Sequence, residues 1–300
     1  MPVNFENVIS EYPKVVIPPT LEKGIYATIE SDGSIVIRNL KEESKMFEDQ
    51  YAYYDHDFTD YPFESGVILT YMEMYKWRDS AEYKCDYEQR GCHIKPDDVV
   101  VDLGANIGLF SRLALERGAK KVYAFEPSTD TLKCLLHNVD RTKVDMFKAC
   151  VYSHSGFEQV ISTGRTHPMV AVRGVRGTKV KGDTEDHIPD QRSNEMVSCY
   201  SMDDLIDCGI LPNQIDFLKI DVEGSEIKVF EGLSDENLHN IDRLAIELHY
   251  NPLKDGFDVQ FANNENLTRR LKSEFPNEKH VYYGRGQKNP WTETITLWRE

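Results

Sequence analysis

Two periodicities alternate along the chain. Val99 to Val101 is a run of β-branched residues that ends in a turn over Asp102–Gly108, and helical apolar spacing follows it to about Arg117. Lys121–Phe125 (KVYAF) is a second apolar strand that ends in Glu126-Pro127. Thr129–Val139 then reads as a helix with Leu132, Leu135 and Leu136 on one face. Asp145–Tyr152 reads as a third strand, turned by Ser153–Gly156. Ser201–Asp207 opens as a helix capped by Ser201, with acidic residues in the first turn where the helix dipole favours them. Leu211–Asn213 turns into a fourth strand at Asp216–Asp221, and Gly224 permits a tight exit into a helix over Glu226–Leu233, closed at Gly232. Arg243–Leu248 is a fifth strand with His249 just beyond it, and Asn264–Phe275 is helical with Leu267 and Leu271 facing inward. Lys279–Tyr283 and Thr292–Trp298 read as a closing antiparallel hairpin around GRGQKNP. Strands that alternate with helices predict an α/β, doubly wound sheet.

The flanks read differently. Met1–Thr20 carries four prolines and reads as an extended lead-in. Gly24–Leu40 alternates apolar and polar residues around Ser31-Asp32-Gly33, a hairpin that either caps the sheet or forms a dimer edge. Lys41–Phe63 is acidic and crowded with aromatics, and eight of the chain's 16 tyrosines fall between Tyr51 and Tyr87. Flat rings with a hydroxyl tip suit a sugar face, and they equally suit a helical lid packed on the core. Glu64–Cys85 has helical spacing and is expected over the ligand cleft. This divides the chain into an N-terminal hairpin and helical cap (1–96) and a main domain (97–300). Within the latter, 162–197 breaks the pattern. It is rich in Gly, Pro and Thr, with a basic first half (Arg165, Arg173, Arg176, Lys179, Lys181), and reads as a flexible insertion or as a contact for an acidic or phosphorylated acceptor.

The first βα turn carries the chemistry. Gly104 lets the backbone reverse sharply, Gly108 lets the helix start close to the strand, and Asp102 places a carboxylate at the strand's carboxyl end. Glu126, about 20 residues beyond at the tip of the second strand, is placed to accept from a ribose diol. The turn D-L-G-A-N-I-G puts Ala105 and Asn106 where a pyrophosphate needs a second close-packed glycine, so a nucleotide without phosphates fits better than a dinucleotide.

VVVDLGANIG, AFEP and IDFLKIDVEGSEIKVFEGL together resemble the FkbM-type class I methyltransferases, the third block most specifically, over about Asp98 to Leu248. The resemblance implies a seven-stranded, Rossmann-like class I methyltransferase sheet with S-adenosylmethionine as cofactor, a helical cap ahead of the first strand, and a sugar or glycan acceptor. It assigns Asp102, Gly104 and Asn106 to the methionine end and turn, and Glu126 to the ribose. Cys150 and Val151 fall at the adenine by position, as an apolar wall or as plain strand residues. The strand tips supply Asp221 and Glu223, then Glu247 and His249. Metal-dependent O-methyltransferases of the class place carboxylates at these two tips, so Asp221, Glu247 and His249 are the candidate ligands for Mg²⁺ or Mn²⁺. Asp221, Glu223 and His249 are the candidate catalytic groups, with His249 as metal ligand, base or surface histidine.

Composition narrows the partners. A net charge of -16 argues against a nucleic-acid backbone or an anionic membrane surface. No apolar stretch reaches the ~18 residues of a membrane span, and MPVNFENVIS lacks the features of a signal peptide. The six cysteines show no C-x-x-C spacing and read as reduced thiols, so a cytoplasmic protein is expected. Three functions fit: an O-methyltransferase of a sugar or glycan hydroxyl, a methyltransferase of a lipid, polyketide or protein side chain, and a non-catalytic FkbM-like binding domain. Four acidic strand tips weigh against the last.

Overall fold

In the computed structural model the described residues are 15–16, 25–29, 35–39, 74, 85–162, 171–172, 193–249, 257–284 and 290–299. The expected aromatic segment, most of the helical cap and most of the basic insertion lie outside them.

Near the N-terminus, β1 (Val15–Val16), β2 (Ile25–Ile29) and β3 (Ile35–Asn39) form a three-stranded sheet. β2 and β3 pair antiparallel, as the expected hairpin requires, and β1 joins β3 in parallel.

The main sheet begins with β4 (Val99–Leu103), followed by α1 (Leu109–Glu116), β5 (Lys121–Phe125), α2 (Thr129–Asn138) and β6 (Val144–Phe147). The chain continues through β7 (Ala149–Val151), β8 (Gly156–Ser162), β9 (Ala171–Val172), β10 (Ser193–Tyr200) and α3 (Met202–Asp207). Then come β11 (Ile215–Ile220), α4 (Glu226–Glu231), α5 (Asp235–His239), β12 (Ile241–His249), α6 (Phe257–Glu274), β13 (Asn277–Gly284) and β14 (Pro290–Trp298). Seven strands pair in the order β13-β14-β12-β11-β4-β5-β6. All neighbours among β12, β11, β4, β5 and β6 are parallel, while β14 runs antiparallel between β12 and β13. This is the seven-stranded class I methyltransferase sheet, with its order reversing between β4 and β11, where such sheets open a ligand crevice.

Alternation along the strands explains the two layers. Val100, Val122, Ala124, Phe217 and Ala245 face one core with α1 and α2. Val101, Leu103, Leu218, Ile220, Leu244 and Ile246 face the other, against α3, α4 and α6. Ser201 caps α3 as expected, its hydroxyl accepting from the Asp204 N–H at 3.0 Å. Residues 85–94 are tied into the first core, where Cys85, Tyr87, Cys92 and Ile94 are buried. Glu88 receives the Arg117 guanidinium, and Arg243 makes a two-pronged buried pair with Asp98 at 2.9 Å.

Three expectations need correction. The third strand is two: β6 stays in the main sheet, while after Lys148 the chain leaves it and β7 pairs with β10. The start and end of the supposed irregular insertion are ordered strands, since β8 and β10 pair antiparallel from Gly156↔Cys199 to Ser162↔Ser193, with β9 on β8. Among the described residues β6 has no partner beyond β5, and the next segment satisfies its backbone on β10 instead. The last helix begins at Phe257 rather than Asn264. No helix among the described residues is long and apolar enough to cross a membrane.

Candidate active site

The glycine turn after β4 is shaped by one close approach. A Cβ on Gly104 would lie 1.7 Å from the Asp221 carbonyl oxygen, and Gly104 has φ +75°. No other residue allows the β4 and β11 tips to meet this closely. Asn106 (φ 49°) and Glu223 (φ 53°) are also left-handed, so both strand-tip turns are held in conformations that ordinary side chains rarely adopt.

Beneath the turn lies a cation that sequence reasoning missed. Lys219 is 2% exposed. Its ammonium donates to the Gly104 carbonyl at 2.8 Å and sits 3.4 Å from both Asp102 and Asp221. Burial alone would lower its pKa, but the two aspartates overcome this and hold it raised. Asp102 is fully buried and accepts from the Ser111 hydroxyl at 2.6 Å. It lies below the cleft floor, held by Ser111 and Lys219. The sequence signal was available: a lysine inside the apolar strand IDFLKID must find buried partners.

Above the turn, Gly104, Asn106, Phe125, Glu126, Pro127, Ala149, Cys150, Val151, Asp221, Val222, Glu223 and Ser225 line an open cleft. Of the residues expected at the cofactor, Gly104, Asn106, Glu126, Cys150 and Val151 are brought together in this lining. Glu126 accepts from the backbone N–H of Asn106 and of Ser128, each at 2.8 Å. Burial raises its pKa against the pull of these donors. With one N–H on each oxygen, its remaining lone pairs can still receive a diol.

At one end of this cleft the β11 and β12 tips converge. Single ligand atoms of Asp221, Glu223 and His249 lie within 4.8 Å of one another. His249 Nδ1 is 2.8 Å from Glu226, leaving Nε2 to face Glu223 at 3.4 Å and Glu247 at 3.9 Å. The metal trio expected from sequence was Asp221, Glu247 and His249; the tightest trio has Glu223 in place of Glu247. Glu247 instead lies 2.7 Å from the Tyr87 hydroxyl, which is also 3.0 Å from Asp221. A phenol has one proton to donate, so Tyr87 braces both carboxylates by sharing it. Neither Tyr87 nor Glu226 was singled out from sequence as a site residue; Tyr87 lies far upstream, and Glu226 read only as the start of a helix.

The rim is strongly acidic. Burial pushes the Glu223 carboxyl up to about 8, helped by Asp221, Glu247 and Glu226 and opposed by His249. Glu247 is raised by burial and by Asp221. Asp221 is held low because Lys219 and His249 outweigh its burial. His249 is held well above the usual imidazole range, since Glu226, Glu223 and Glu247 outweigh the burial that would lower it. The rim therefore demands a positive charge, from a proton or from a cation.

Residues 102–275 match the Methyltransferase FkbM domain. The chain belongs to this family. This FkbM chain is 31% identical over 184 residues to the 31-O-demethyl-FK506 methyltransferase FkbM of Streptomyces tacrolimicus, covering 54% of this chain and 70% of that protein. It is 28% identical over 153 residues to the hexuronic acid methyltransferase AglP of Haloferax volcanii, covering 51% of this chain and 56% of that protein. Methyltransferase 1 of Beauveria bassiana is 25% identical over 51% of this chain and 66% of its own length. This FkbM domain is an S-adenosylmethionine-dependent methyltransferase. The cleft offers features that such a cofactor can use: a glycine at the close approach, the Glu126 carboxyl, and an apolar wall at Phe125 and Val151.

Proposed function

We propose that the protein transfers the methyl group of S-adenosylmethionine to a hydroxyl of a sugar or glycan. The observation that carries this reading is the acidic rim of Asp221, Glu223, Glu247 and His249 at the edge of the donor cleft. An alcohol is a poor nucleophile until its proton is drawn away as the new bond forms. The hydroxyl oxygen attacks the methyl carbon in line, the carbon–sulfur bond breaks, S-adenosylhomocysteine leaves, and the hydroxyl proton passes to the rim. A rim carboxylate takes it, because His249 is already held in its charged form by Glu226, Glu223 and Glu247. Glu226 orients the ring through Nδ1 and stabilises the imidazolium, while Nε2 faces the reacting edge. Asp221, Glu223 and His249 would hold a divalent cation, and two carboxylates with an imidazole suit Mn²⁺ at least as well as Mg²⁺. Such an ion would supply Lewis-acid stabilisation of the alkoxide. Asp102 and Lys219 fix the turn, Glu126 takes the ribose, and Cys150 and Val151 flank the base. The sugar as acceptor is supported by the hexuronic acid methyltransferase among the relatives, and by tyrosines whose faces suit sugar rings.

The test is transfer of labelled methyl from S-adenosylmethionine to a panel of sugars, glycans, lipids and peptides, with and without chelator. Label in a sugar that is lost on chelation and in His249→Gln is expected. Label in lipids or peptides but no sugar overturns the acceptor class, and transfer indifferent to chelator overturns the cation. Glu126→Ala should abolish donor binding while leaving the fold intact, which a domain kept only for assembly would not require.

A further inference from the structure

A second cluster of ligating side chains lies away from the acidic rim, on the four-stranded sheet ordered β7-β10-β8-β9. The two faces of its β8–β10 ladder differ. Phe157 and Met196 are 72% and 64% exposed, while their chain neighbours Glu158 and Val197 turn to the opposite face together with Cys199. The turn that joins β7 to β8 places His154 over that second face. One ligand atom each from His154, Glu158 and Cys199 lies within 4.8 Å of the others.

We propose that His154, Glu158 and Cys199 form a binding site for a borderline-soft divalent metal of the Zn²⁺ type. Four arguments carry it. First, the donor set is one imidazole nitrogen, one carboxylate oxygen and one sulfur, which suits zinc and its neighbours and does not suit Mg²⁺ or Ca²⁺. Second, the spacing is close to a bound state. His154 Nε2 is already 3.3 Å from Glu158 Oε1, about the edge of a zinc tetrahedron with bonds of roughly 2.0–2.3 Å. Third, the imidazole is aimed. Its Nδ1 lies 3.3 Å from the Ser153 hydroxyl, which turns Nε2 toward Glu158, as in metal sites where an outer partner fixes the ring. Fourth, the three ligands come from three separate elements: the turn after β7, strand β8 and strand β10. A metal would therefore tie together a turn and two strands, adding to the contacts that Ser155 makes with Asp204 and with the Ser201 N–H. The Cys199 thiol now donates to the His154 carbonyl at 3.3 Å, and metal binding would release that proton to solvent.

The position gives the site a consequence. Cys199 is the register partner of Cys150 on β7, and Cys150 and Val151 line the donor cleft. The metal would brace the wall against which the base of the cofactor packs. With three protein ligands and a half-exposed histidine, a fourth position stays open to solvent. The site shares no residue with the acidic rim, which contains no sulfur.

Cobalt separates the two, because only a thiolate-bound Co²⁺ gives the sulfur-to-metal charge-transfer band in the near ultraviolet. Metal-free full-length protein titrated with Co²⁺ should develop this band to one equivalent, and Zn²⁺ should displace it. Cys199→Ser should abolish the band. His154→Ala, at an exposed turn where folding is not at risk, should weaken Co²⁺ binding at least tenfold, whereas Cys208→Ser and Asp221→Asn should leave the band in place. Absence of the band at millimolar Co²⁺, or a band that survives both Cys199→Ser and His154→Ala, would overturn the proposal.

Discussion

Lys219→Met isolates the buried cation under the cleft. Methionine keeps most of the stem volume, so little packing is lost, and what disappears is the ammonium with its three partners. Its contact with the Gly104 carbonyl at 2.8 Å goes, and so does the counter-charge 3.4 Å from Asp102 and from Asp221. The ammonium also lies 5.3 Å from the Tyr87 ring and 6.0 Å from that of Phe110, a further attraction of about 0.5–2 kcal/mol. Removing one partner of a buried ion pair costs about 3–5 kcal/mol because the other charge is left without compensation. Here Asp102 is fully enclosed, whereas Asp221 keeps 22% of its side chain exposed and can partly rehydrate. The expected loss is therefore about 3–4 kcal/mol, most of it charged to Asp102. Urea unfolding followed by circular dichroism reads this directly. If Asp102 is the stranded charge, the double variant with Asp102→Asn should recover at least about 1 kcal/mol relative to Lys219→Met alone. A single variant that costs under about 1 kcal/mol, or a double variant that is simply additive, would refute the account of the ion network.

Three further outcomes are expected. Gly104→Ala must move the Asp221 carbonyl and adopt φ +75°, so it should cost more than the ~1–2 kcal/mol of the dihedral alone and weaken S-adenosylmethionine binding at least tenfold by calorimetry; wild-type stability and affinity together would contradict this. Tyr87→Phe strips the shared donor from Asp221 and Glu247, and should cut methyl transfer about 10- to 100-fold with donor affinity unchanged, since Tyr87 is not in the cleft wall; an unchanged rate would remove Tyr87 from the site. His280 is raised by its hydrogen bond to Glu293 at 2.5 Å, against burial and with help from Glu278. That stability is complete below the ordinary histidine pKa of about 6.5 and is lost as pH rises through the raised value, so His280→Gln should cost about 1–2 kcal/mol at pH 6 and much less at pH 9; a cost independent of pH would show the contact to be neutral.

What was legible in the sequence divides along a physical line. Four of the five parallel strands could be read because each is a short apolar run ending at a turn, whereas β6 passes into β7 through Lys148 with no turn residue to mark its end. Asn106, Glu126, Glu223 and His249 could be placed because position at a strand tip follows from strand assignment alone. β8 and β10 could not. GFEQVIS and SNEMVSCY mix exposed Phe157 and Met196 with buried Val197 and Cys199, and the pattern is interrupted by the long polar stretch between them. Tyr87 was illegible as a site residue for another reason. It reaches Glu247 across 160 positions of chain, and nothing local distinguishes it from its seven tyrosine neighbours upstream.

On the proposed function, donor binding and acceptor activation would share one residue, Asp221. The Asp221 backbone carbonyl is the atom that Gly104 must admit, and its side chain carries both the Lys219 contact below and the Tyr87 contact beside it. A shift of the donor turn would therefore be passed to the carboxylate beside the rim. Reaction rates are sensitive to such shifts, because in-line transfer needs donor and acceptor aligned within contact distance. Glu223, two residues on and in a left-handed conformation, is carried along with it. On the proposed function, the left-handed backbone at Asn106 and Glu223 would serve to hold the sulfonium side and the hydroxyl side in a fixed relation. A variant that relieves the strain, such as Glu223→Gly, should stabilise the turn yet lower the transfer rate more than loss of one carboxylate alone, as in Glu223→Gln. Equal rates for the two would mean that the carboxylate matters and the rigidity of its turn does not.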